Sequence, residues 1–242
     1  MRIYQAKNYY EMSCKAATMI ASQIILKPDS TLGLATGSTP LGTYERLINK
    51  YLEGELDFSH INTINLDEYV GLDKNNNQSY YYYMYHELFS KINIPDSQYH
   101  LLNGMAKDSE EECCRYEKLI KDLGGIDLQL LGVGLNGHIG FNEPCDYFSK
   151  GTHLAKLTEN TIKANSRFFE NIEDVPCYAY TMGIKNIMEA KKIILIANGK
   201  VKAEIMKKII EGPITPQVPA SVLQLHNDVT VILDQEASSL LN

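Results

Sequence analysis

The chain has 242 residues, 44% of them apolar, and a net charge of -7. That is enough apolar mass for a large α/β core, but the acidic balance argues against nucleic acid as a partner, because gripping a phosphate backbone takes a clustered basic field. Five cysteines without CxxC spacing suit a reduced compartment, no signal-like run opens the sequence, and nothing reaches the ~18 apolar residues of a membrane span, so a cytoplasmic protein without membrane contact is expected.

In chain order, the periodicity predicts a helix over residues 9–26 and a strand over 31–36. The strand ends in Gly37, Ser38 and Thr39, and Pro40 suits the first turn of a second helix in which Leu41, Tyr44, Leu47, Ile48 and Tyr51 recur at helical spacing. A second strand, 61–66, runs directly into Asp67-Glu68-Tyr69. The polar loop 75–79 precedes a tyrosine-rich helix over 80–89, and another helix is expected over 108–122. Strands follow at 126–132, 192–197 and 229–233, with a helix over 200–210, while residues 145–180 are irregular enough to hold a mobile flap. Short apolar strands alternating with amphipathic helices imply an α/β fold: an open, mostly parallel twisted sheet covered by helices on both faces, Rossmann-like, in a single domain over 1–242. Ligands of such sheets sit beyond the carboxyl ends of the strands.

Three strand-end loops carry unusual residues. Gly37, Ser38 and Thr39 resemble an anion cradle, since a glycine admits close backbone approach and the free N–H groups of a helix start favour a phosphate; an ordinary capped turn is the equal alternative. At Asp67 and Glu68, a carboxyl held near apolar walls has a raised pKa and becomes a usable base toward carbon. Gly132, Gly134 and Gly137 fit the GxGxxG dinucleotide pattern, but Gly140 and Pro144 interrupt the helix such a site must open. The glycines are better read as a tight bend presenting His138, with Glu143 near enough to fix its tautomer if the chain turns back. Zinc is disfavoured: His138, Cys145 and His153 lack ligand spacing.

The loops at 34–40, 65–71 and 132–144, with Asn165 to Phe169 and Leu223 to His226 in the same order, resemble the glucosamine-6-phosphate deaminase family over nearly the whole chain. The resemblance implies ring opening of glucosamine 6-phosphate, aldose–ketose isomerisation, and release of ammonia and fructose 6-phosphate without a cofactor. It also implies roles. His138 would exchange a proton with the ring oxygen, oriented by Glu143 and Asn136, and Asp67 would carry the proton from C2 to C1. Gly37, Ser38 and Thr39 would hold the phosphate with Arg167, one of only four arginines, and Lys202, although Lys200 is an alternative in the same lysine-rich segment.

Two departures matter. Asn136 stands where some members have Asp, so it can hold a hydrogen bond but cannot offset an imidazolium charge. Asp146, Tyr147, His153 and Ala155 stand where allosteric hexamers carry basic and serine residues, which implies a monomer or small oligomer not activated by N-acetylglucosamine 6-phosphate. The alternatives are a 6-phosphogluconolactonase-type hydrolase and a non-catalytic sugar-phosphate-binding regulator.

Overall fold

The computed structural model describes residues 1–166, 169 and 171–241. Strand β1 (Arg2–Ala6) leads to helix α1 (Tyr9–Leu26), which starts where the Asn8 side chain accepts the Glu11 N–H at 2.9 Å. Met12, Ala16, Ile20 and Ile24 recur along its buried stripe. Then come β2 (Thr31–Leu34), α2 (Leu41–Leu52), β3 (Asn62–Asn65) and β4 (Asp67–Tyr69). Helix α3 (Tyr80–Glu87) is capped by Ser79, and β5 (Tyr99–His100) precedes α4 (Ser109–Asp122), capped by Asp108. The remainder runs β6 (Leu128–Leu131), β7 (His153–Lys156), α5 (Glu159–Asn165), β8 (Tyr178–Thr181), α6 (Ile184–Met188), β9 (Ile193–Ala197), α7 (Ala203–Glu211) and β10 (Val229–Asp234).

Seven strands form one sheet in the order β1-β10-β9-β6-β2-β3-β5, with every pairing parallel. Helices cover both faces, as the strand β9 makes plain. Its Ile193, Leu195 and Ala197 pack into one core with Ile205, Met206 and Ile209 of α7, while Ile194 and Ile196 enter another with Met12 and Ile20 of α1 and Leu47 of α2. Alternate side chains of a strand face opposite ways, so a strand covered on both sides is apolar throughout. The winding reverses between β2, which continues to β3 and β5, and β6, which continues to β9 and β10. A crevice at the carboxyl ends of β2 and β6 follows from that reversal.

The expected fold is therefore present, with local corrections. Strands expected at 31–36, 61–66 and 126–132 are each shorter, at Thr31–Leu34, Asn62–Asn65 and Leu128–Leu131, because the residues beside them already belong to the flanking loops. The segment expected as the start of a helix at 200 is a 3-10 turn, Lys200–Lys202, forced by Gly199 at φ +84°. The helix expected over 80–89 ends at Glu87, and Phe89–Lys91 tightens to a 3-10 turn.

The stretch 145–180 is more regular than its sequence implies. It contributes β7 and β8 to a second, antiparallel sheet in the order β4-β8-β7, whose core is Tyr69, Phe141, Ala155, Leu157 and Ala179. Four-residue strands such as His-Leu-Ala-Lys carry too little periodicity to be read from sequence.

Candidate active site

The loop leaving β2 turns at Gly37, whose φ of +99° lies in the region that favours glycine. The Thr39 hydroxyl donates to Asn198 Oδ1 at 3.0 Å, tying this loop to the one that leaves β9. Ser38 is exposed at the crevice.

The chain leaves the main sheet at Leu66 and enters β4 at once, where Asp67 pairs with Thr181 of β8. Asp67 is only 7% exposed. Burial, with the adjacent Glu68 charge adding to it, pushes its carboxyl up to about 8. Glu68 points elsewhere. Its Oε1 accepts the N–H groups of Tyr69 and Tyr80 at 2.8 and 2.9 Å, and its Oε2 accepts that of Tyr81 at 2.9 Å. Burial raises Glu68 to about 7 even though these three bonds pull it down. It thereby clamps the first turn of α3 to β4, where the helix dipole favours a negative group. Tyr80, so anchored, reaches the side chains of Tyr69 and Thr36 with its hydroxyl, in the field of Asp67.

Beyond β6 no helix begins between 132 and 152, so the glycines there do not form a dinucleotide turn. The chain folds back tightly: Gly134 N–H donates to the carbonyl of His138 at 2.9 Å, and Gly137 N–H to that of Gly134 at 3.1 Å. A Cβ on Gly134 would stand 2.2 Å from the His138 ring, so only glycine leaves room for the imidazole. Gly137 at φ +88° makes the turn. His138 Nδ1 lies 3.6 Å from Glu143 Oε2, and that same oxygen accepts the Asn136 amide at 2.6 Å. The Thr161 hydroxyl donates to Glu143 Oε1. Burial drives the Glu143 carboxyl up, but His138, Thr161 and Asn136 outweigh it and hold the group below its ordinary value.

The sequence-derived candidates largely converge. A Cβ on Gly140 would stand 3.5 Å from Asp67 Oδ2, so the His138 loop and the carboxyl of β4 meet at a residue that must be small. Lys202 Nζ donates to the Val133 carbonyl at 2.5 Å, inside the glycine-rich loop, whereas Lys200 is exposed and bonds through its N–H to Glu236. Of the two lysines, it is Lys202 whose side chain lies at the glycine-rich loop. Arg167 lies outside the described residues.

Sequence reasoning missed the supporting side chains. Asn142 donates to the carbonyls of Ile139 and Met182 at 2.8 Å each, and the Thr181 hydroxyl accepts the Phe141 N–H at 3.0 Å, together pinning the loop after His138. Asn142 directly precedes Glu143 in the 132–144 loop, a signal that was available; Thr181, distant in sequence, gave none. Among the described residues no group of three or more His, Cys, Asp or Glu could hold a metal.

A desolvated carboxyl and a histidine–carboxylate pair, opening beside a loop suited to an anion, are the equipment of an enzyme that moves protons on a small anionic substrate. Comparison with known proteins narrows this. The family model for glucosamine-6-phosphate isomerases/6-phosphogluconolactonase matches residues 6–232, and the chain belongs to that family. It is 59% identical over 232 residues to a glucosamine-6-phosphate deaminase of Lachnoclostridium phytofermentans, covering 96% of this chain and 98% of the relative. It is 57% identical to one of Clostridium botulinum, covering 100% and 99%. The structure of a monomeric glucosamine-6-phosphate deaminase matches with a TM-score of 0.97 at 48% identity, over 99% of this chain and 100% of that one. A 6-phosphogluconolactonase from Leishmania guyanensis matches with a TM-score of 0.79 at 21% identity, a likeness of fold alone.

Proposed function

We propose that the protein is a glucosamine-6-phosphate deaminase, converting glucosamine 6-phosphate and water to fructose 6-phosphate and ammonia. His138 passes a proton to the ring oxygen as the ring opens; Glu143 and Asn136 hold the imidazole in place, and the Glu143 carboxylate offsets the charge it carries before it gives that proton up. Asp67 takes the proton from C2 and delivers it to C1. The nitrogen-bearing carbon is then an imine, which water attacks, and ammonia leaves with the ketone formed at C2. The phosphate rests on Gly37, Ser38 and Thr39, with Lys202 and Arg167 supplying positive charge.

The observation that carries this reading is Asp67. An unperturbed carboxylate, near ~3.9, is a weak base toward carbon, and desolvation is what strengthens it. Ester hydrolysis by a lactonase abstracts no carbon-bound proton and has no need of such a group, so Asp67 favours the deaminase over the lactonase. A regulator without turnover would have no use for the raised carboxyl either.

No helix among the described residues is long and apolar enough to cross a membrane. We assign the enzyme to the cytoplasm, where its five unpaired cysteines would stay reduced. A monomer or small oligomer fits the 48% identical relative, itself described as monomeric. The proposed flap includes the segment 145–180, with α5 carrying Thr161 onto Glu143. The test is incubation with glucosamine 6-phosphate, following ammonia and fructose 6-phosphate together. Equimolar release supports the assignment, and release of neither product refutes it. Rates should be hyperbolic in substrate and indifferent to N-acetylglucosamine 6-phosphate; a sigmoidal curve made hyperbolic by that compound would remove the non-allosteric reading.

A further inference from the structure

The loop that follows β2 is fastened from behind by three phenols on three different helices. Tyr83 of α3 donates to the carbonyl of Gly37 at 2.6 Å, Tyr9 of α1 to that of Ser38 at 3.2 Å, and Tyr44 of α2 to that of Ala35 at 2.5 Å. Tyr9 also accepts the Gly42 N–H at 2.8 Å, and Tyr44 the Ala35 N–H at 3.2 Å. A Cβ on Gly42 would stand 3.0 Å from the Tyr9 ring and 2.6 Å from Ser13 Oγ, so the glycine is what lets α1 bring Tyr9 to the start of α2.

A peptide group is planar and trans, so the N–H that follows a carbonyl points the opposite way. With the carbonyls of Ala35, Gly37 and Ser38 held against the tyrosines, the N–H groups of Thr36, Ser38 and Thr39 point away from them. None of these three N–H groups has an acceptor among the described residues. We infer that Tyr9, Tyr44 and Tyr83 are positioning residues that turn the peptides of residues 35–39 so that their N–H groups meet the substrate phosphate. Burial raises the phenols of Tyr44 and Tyr83, keeping both as donors throughout the working pH range. Preorganised N–H groups bind an anion without first having to break bonds to the protein.

This inference rests on the proposed reading of the loop as the phosphate site. Inorganic phosphate, used as a competitive inhibitor of glucosamine 6-phosphate turnover, separates the two. In Tyr83→Phe and in Tyr9→Phe, the inhibition constant for phosphate and the KM should each rise about 10-fold, with kcat within about 2-fold of the parent, as expected for losing a bond that orients a binding group. Tyr10→Phe, an exposed phenol on the same helix as Tyr9, should change none of the three. These half-buried phenols are the ones to replace, since Tyr44 is fully buried and its loss could unfold the chain. Phosphate inhibition unchanged in both variants would overturn the inference, as would a fall in kcat at constant KM. An active parent that phosphate fails to inhibit would refute the phosphate-site reading itself, and the inference with it.

Discussion

Asp67 and Glu68 are adjacent and both buried, yet one carboxyl borders Gly140 in the His138 loop while the other is spent on the N–H groups of Tyr69, Tyr80 and Tyr81. Successive side chains on β4 leave on opposite faces, which is how two carboxyls at one strand end acquire different tasks. The Glu68 charge also helps to keep Asp67 raised.

Glu68→Gln should therefore act twice. An amide cannot accept all three N–H bonds, and leaving one buried donor unpaired costs about 1–3 kcal/mol of stability, read by denaturant unfolding. Removing the like charge lowers the Asp67 pKa. In the parent, kcat/KM should fall as the pH drops through about 8, where Asp67 gains its proton; in Glu68→Gln that limb should move to lower pH. A limb that stays in place would show that Asp67 is not the group responsible.

The same burial predicts a stability effect at Asp67. Its folded pKa lies above the unfolded value of 3.8, so the native chain keeps a proton that the unfolded chain releases. Stability is then present below about 4 and lost as the pH rises toward 8. Asp67→Asn removes that titration, so its Tm should exceed the parent's by about 2–6 °C at pH 8 and converge with it at pH 4. Thermal unfolding at both pH values checks this.

Gly140→Ala should damage the centre of the site. Its φ is +56°, and the added Cβ would stand 2.7 Å from Thr181 Oγ1 and 3.5 Å from Asp67 Oδ2. The backbone and contact strain should cost about 1–3 kcal/mol, and kcat should fall at least about 10-fold as Asp67 is displaced.

Asn136 and Lys202 yield kinetic predictions. Asn136→Ala, which removes the amide bond to Glu143 Oε2, should lower kcat about 10-fold; parental kcat in that variant would end the idea that Asn136 helps to place Glu143 beside His138. Lys202→Met should raise KM about 10-fold or more, as loss of a phosphate partner does, while Lys200→Met should leave it within about 2-fold.

The legible parts of this molecule are those where one physical signal dominates. The stripe of Met12, Ala16, Ile20 and Ile24 behind Asn8 marks α1 to its ends. Ile193 to Ala197 are apolar throughout because both faces are covered, and that identifies a central parallel strand. Strand β1 was not legible, because as an edge strand it keeps only Ala6 buried. Asp67-Glu68-Tyr69 reads as a loop, since carboxyls enter a strand only when tertiary partners such as α3 receive them. The site followed the same division. The tight bend that presents His138 was legible because it is local. Tyr9, Tyr44 and Tyr83 acquire meaning only when three helices meet one loop.

The central claim is that Asp67 moves the carbon-bound proton, and the kcat of Asp67→Asn for glucosamine 6-phosphate tests it most directly. A correctly folded variant should lose at least about 100-fold in kcat, with KM within a few-fold of the parent, because the phosphate loop and His138 remain in place. A variant that keeps more than about a tenth of the parental kcat would contradict the account.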